Sequence, residues 1–288
     1  MAVPILPWIM EHLPTDKAAG PAGERYEHYK CMPYDYVARL VDSALNGRLP
    51  QPVQKVWRTA LVYAGDKQRP VSKTDPRKAI LPLSVGMALR RIAERVPAAQ
   101  LRARFADKFK SLRQLGVAVP SGIEIAYRIV DLTMERLTAM AIDEPTDWKG
   151  APMLPAVAAL DFSDGFTRCS RTRVLEQTMQ SFPTLYRYQH MTLYELSELV
   201  MLWQGAVIGK IPNAYGVWQG APLGMHNFCL STVDFCMSII EFNYPHRIFA
   251  NPAIFPASYA MIAWSRLLGI FAWPEPGWAH RMLGAPYF

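Results

Sequence analysis

Residues 159–171 read ALDFSDGFTRCSR, and the reading of this stretch decides the reading of the rest. The apolar run 157–160 ends in Asp161, Phe162 follows, and Phe166 stands five residues past the aspartate. A short apolar run closed by a polar residue suits a buried strand. Such a strand fixes the backbone while its last side chain reaches solvent, so a terminal carboxylate is placed to hold a divalent cation. Alone the signal is weak, because many strands end in Asp.

Composition bounds what can surround it. With 288 residues and 51% hydrophobic content, the chain can bury one sizeable core or two modest ones, which argues against a disordered protein. Cys31, Cys169, Cys229 and Cys236 show no CxxC spacing, so they read as reduced core residues rather than zinc ligands or a disulfide framework. His190, His226, His246 and His280 are too dispersed for a ligand set. No metal site is expected from either group. The net charge of +7 is unevenly placed. Arg90, Arg91, Arg95, Arg102, Arg104, Lys108, Lys110 and Arg113 face only Glu94 and Asp107, a net of +6 within one helical segment. Such a run suits a phosphate backbone, and equally a solvated helix face.

Outward from Asp161, the chain divides by pattern. Residues 1–33 are proline-rich, carry no basic n-region, and read as an extended arm clasping a neighbour or the body of its own domain; no secretory signal or transit peptide is expected. Residues 34–150 form a helical region. YDYVARLVDSAL at 34–45 has helical spacing closed by Asn46-Gly47, 53–63 passes from helix to strand, and 80–85 is a second apolar run. Basic helices follow over 86–95 and 97–113, a strand or loop over 115–120, and an amphipathic helix over 122–140. Residues 151–252 contain the Asp161 strand, helices over 171–180 and 193–203, a strand pair joined at 210–213, and an apolar helix over 225–242. Residues 253–288 are an apolar extension.

In order, Lys67, LPLSVGMALRRIAERV at 81–96, QLGV at 114–117, the Asp161 motif and QGAPLG at 219–224 resemble the reverse transcriptase domain of non-LTR retrotransposons. The resemblance covers about residues 35–252. It implies an α+β fold of fingers (34–150) and palm (151–252), with a small antiparallel sheet backed by helices. It also implies that Asp161 is the first metal-binding aspartate and Phe166 the residue beneath the incoming sugar. Gln219 and Gly220 would pack against the templating pair, and the 90–113 cations would form a fingers surface facing RNA.

The departures from the family bear on activity. Its later hairpin carries two aspartates, and here that position reads Phe249-Ala250-Asn251-Pro252. Two ions held about 4 Å apart need several anionic oxygens, and Asp161 alone supplies one carboxylate. Leu81 replaces a basic residue of the family, no lysine follows Lys210, and the 36 residues after Pro252 are too few for the expected thumb. The implied function is a retrotransposon-derived pseudoenzyme without cofactor, serving as a structural subunit of a larger assembly. A mitochondrial or ribonucleoprotein complex is the expected host, as for degenerate relatives that act as scaffolds in the spliceosome. Two alternatives stay open: a stand-alone RNA-binding module using the 90–113 face, or an active RNA-directed DNA polymerase with an atypical Mg²⁺ site. AIFPASYAMIAWSRLLGIFAW at 253–273 has the length of a membrane span, but Pro256 and Arg266 favour a buried helix or a protein interface. Trp264, Trp273 and Trp278 are its candidate anchors.

Overall fold

The computed structural model describes residues 4–66, 80–143, 165–203 and 206–242. Two compact units divide them, Met1–Phe105 with Asp164–Thr232 and Ala106–Ser163 with Val233–Phe288.

The first unit begins with α1 (Leu6–Glu11) and α2 (Tyr26–Lys30), followed by α3 (Tyr34–Leu45) and α4 (Gln51–Trp57). Pro33 stands at the N-cap of α3, and Val37, Val41, Ala44 and Leu45 form its buried stripe. Gly47, at φ +66°, ends the helix, and the Arg48 amide donates back to the Ser43 carbonyl at 2.8 Å. β1 (Thr59–Asp66) and β2 (Ile80–Gly86) then pair antiparallel. The chain continues through α5 (Ala88–Gln100) and α6 (Arg102–Ser111), the latter crossing into the second unit.

The first unit resumes with α8 (Gly165–Arg168), α9 (Arg171–Ser181) and α10 (Pro183–Leu193). Ser170 caps α9 by accepting the Arg173 amide, and Pro183 opens α10 where a missing N–H costs nothing. β3 (Ser197–Trp203) and β4 (Ala206–Asn213) form an antiparallel hairpin, and α11 (Gly224–Ser231) closes the unit. Trp57, Phe105, Phe182 and Tyr188 are its largest fully buried side chains among the described residues. The second unit holds α7 (Gly122–Asp143) and α12 (Val233–Phe242). There the Gln114 side-chain amide contacts Cys236 Sγ at 3.2 Å, tying the two stretches of chain together.

Several expectations change. The fold is α+β, but the sheet is mixed rather than antiparallel, in the order β2-β1-β3-β4 with β1 and β3 parallel at its centre. A parallel pair needs a long crossover, and the helices between β2 and β3 provide it. Residues 193–203 are not a helix: 197–203 are β3, whose backbone is paired on both sides by β1 and β4. Residues 210–213 do not join the strand pair: they are the end of β4, whose hairpin partner stops at Trp203. Pro212 is accommodated because β4 ends the strand order among the described residues. Residues 225–242 form two helices, with the break at Thr232.

The N-terminal stretch is not extended. Leu6, Ile9, Leu13, Tyr26 and Tyr29 are buried, and α1 and α2 lie against α5. Of the two neighbours expected for it, the one observed is its own unit. Glu24 accepts the Ala88 amide at 2.6 Å, and Arg91 donates to the Ala18 carbonyl at 2.9 Å.

Candidate functional site

The residues following the Asp161 motif and the Gln219-Gly220 run meet in the first unit. The Phe166 carbonyl accepts the Val217 amide at 2.7 Å, and the Cys169 carbonyl accepts the Gly216 amide at 2.9 Å. Gly216 holds φ +70°, and a Cβ there would collide with the Thr167 carbonyl, so only glycine permits this approach. Phe166 is half-buried, and its ring stacks on Phe228 at 5.2 Å between centroids. On the other side, a Cβ on Gly220 would lie 2.8 Å from the Ser84 carbonyl, and one on Gly86 would lie 2.6 Å from the Trp218 ring. The run 216–224 is thus packed between α8 and β2. Gln219 and Gly220 themselves are exposed.

Beneath this run lies a buried charged cluster. Arg90 is 5% exposed and Glu94 2%, and the Arg90 Nε donates to the Glu94 carboxylate at 2.8 Å. One Arg90 terminal nitrogen donates to the Trp57 carbonyl at 3.0 Å, and the guanidinium lies 3.7 Å from the centroid of the Trp218 ring. Glu94 also accepts the Tyr188 hydroxyl at 3.1 Å and the Leu223 amide at 3.4 Å. Burial, with Glu94 beside it, pushes the Tyr188 phenol well above its ordinary range, so Tyr188 remains a neutral donor.

Arg171 joins from the start of α9. It donates to the Gly216 carbonyl at 2.7 Å, to Ser197 Oγ at 2.7 Å and to the Glu195 carbonyl at 3.4 Å. Burial first and Arg90 second bring its guanidinium down to about 10, which leaves it charged at neutral pH. Arg58, also buried, donates to the Met191 carbonyl and pairs with the Glu195 carboxylate. Together these side chains tie α5, α9, α10 and β3 to the 216–223 run.

The eight cations of 90–113 do not share one environment. Arg90 belongs to the buried cluster and is not on a surface. Arg91 and Arg95 lie over the Tyr26 ring at 4.7 and 5.7 Å, where they hold the N-terminal helices. Arg104 is exposed yet donates to the Ser181 carbonyl at 2.9 Å, beside the Phe182 ring. Arg102, Lys110 and Arg113 are exposed and Lys108 is half-buried.

Lys67, Asp161, Asp164, Asn251, Pro252, Trp264, Trp273, Trp278 and the run 253–273 lie outside the described residues. Among the described residues, no group of three or more His, Cys, Asp or Glu side chains is arranged to hold a metal ion. No described helix is long and apolar enough to cross a membrane. Sequence reasoning missed Arg58, Glu94, Arg171 and Glu195 as a structural set. The one available signal was the i,i+4 spacing of Arg90 and Glu94 on the apolar stripe of α5.

No described protein family matches the chain, and no curated protein is significantly similar to it.

Proposed function

We propose that this protein is a catalytically inactive, reverse transcriptase-like structural subunit of a larger assembly, of the mitochondrial or ribonucleoprotein kind. The observation that carries the reading is in the sequence: Asn251-Pro252 stands where the resembled family has its paired aspartates, which leaves Asp161 as one carboxylate for two cations. The packing supports the same view from the other side. The 165–169 segment and the 216–224 run are held together by Gly216 and Phe166, beside the Arg90–Glu94–Arg171 cluster.

Apolar surface is also available for a subunit contact. On β4, the end strand of the described sheet, Val207, Ile208 and Ile211 are 59%, 61% and 43% exposed. An RNA contact inside the assembly is compatible with exposed Arg102, Lys110 and Arg113, and is the second reading. Sizing of the untagged protein from native extract tests the proposal. The expected result is elution wholly within a large complex, and a free 32.5 kDa species as the main form would overturn it.

A further inference from the structure

Within the buried cluster, a cavity of about 10 Å³ is lined by Arg90, Arg171, Thr192, Ser197, Trp218 and Asn227, among others. That is room for about one water-sized particle. We propose that it binds a single small monovalent anion, with chloride as the abundant candidate.

Charge is the first argument. Arg90 and Arg171 are 5% and 6% exposed, and among the described residues Glu94 is the one carboxylate bonded to either. Every partner of Arg171 among the described residues is a neutral oxygen: the carbonyls of Gly216 and Glu195 and the hydroxyl of Ser197. The Glu195 carboxylate is paired with Arg58. Among the described residues, one buried positive charge therefore has no carboxylate partner, an arrangement that is costly unless a counter-charge is supplied.

Hydrogen bonding is the second, independent argument. Arg90 uses Nε on Glu94 and Nη1 on the Trp57 carbonyl, while Nη2 makes no hydrogen bond with a described residue. Asn227 is 6% exposed. Its Oδ1 accepts the Gln189 amide at 2.6 Å, and its Nδ2 makes no hydrogen bond with a described residue. Two donor nitrogens, on buried side chains that both line the cavity, thus have no partner among the described residues. A water molecule could accept from both but would leave the charge unbalanced, whereas a halide accepts several N–H groups and cancels it. Sulfate and phosphate are too large for the space.

The test is thermal melting of the full chain at constant ionic strength, with chloride exchanged stepwise for gluconate, beside the Asn227→Asp variant. That variant keeps an oxygen for Gln189 and places a fixed carboxylate at the cavity. The expected result is a saturable rise in melting temperature with chloride for the native protein and a flat response for Asn227→Asp. In crystals grown with bromide, an anomalous peak should lie between the two guanidiniums. A melting temperature independent of chloride would overturn the proposal, as would an equal response in Asn227→Asp or density for a water only. None of these outcomes depends on whether the protein is a scaffold or a polymerase, so the two proposals fail separately.

Discussion

At the scale of single residues, Glu94 holds the position on which most others depend. It accepts hydrogen bonds from Arg90, Tyr188 and the Leu223 amide while 2% exposed, so removing its charge leaves the buried Arg90 guanidinium without its carboxylate. Glu94→Gln, which keeps the shape, should lower unfolding free energy by about 3–5 kcal/mol in chemical denaturation. A loss under about 1 kcal/mol, the range of an exposed ion pair, would show that the cluster is solvated in solution. His226 gives a pH signature. Burial brings its imidazole down to about 4, against a hydrogen bond at Pro222 that works the other way, and its ring lies 4.5 Å from that of Phe105. The unfolded chain therefore takes up the proton first as pH falls, and this contribution to stability is present above about 6.5 and lost between about 6.5 and 4. His226→Gln should flatten that part of the pH–stability profile by at most about 3 kcal/mol. An unchanged profile would contradict the placement of the ring.

At the scale of elements, the turn from β4 to α11 is the joint of the site. Gly216→Ala would combine a left-handed backbone with a collision against the Thr167 carbonyl, and should cost about 2–4 kcal/mol by denaturation. A neutral Gly216→Ala would mean that the 165–169 and 216–220 segments do not meet as described. The elements differ in how far the sequence revealed them, for physical reasons. The helix α3 is legible because one apolar stripe and one terminal glycine specify it, and α7 because its apolar spacing persists over many turns. The helix α10 was missed because Tyr188, Gln189 and Thr192 are buried beside Leu185 and Leu193, so no polar-versus-apolar period marks it. The end of β4 reads as a turn because Lys210 and Pro212 are turn residues, yet an end strand tolerates both. The basic run of α5 misleads for a related reason. Exposure was inferred from charge, while Arg90 finds Glu94 one turn away and Trp218 far along the chain.

At the scale of the whole molecule, the first unit brings the 165–169 segment against the 216–224 run. What the sequence left open is what this packing is for. Hydrogen bonds and glycine contacts bind 165–169 to 216–224, and a buried network lies beneath, but a metal reaction needs clustered carboxylates. Of the positions that the resemblance assigns to that cluster, one aspartate remains and the other pair reads Asn251-Pro252. The most direct measurement is primer extension on an RNA template with magnesium or manganese, comparing the native protein with Asp161→Ala. No extension by either protein is the predicted result, and extension by the native protein that Asp161→Ala abolishes would contradict it.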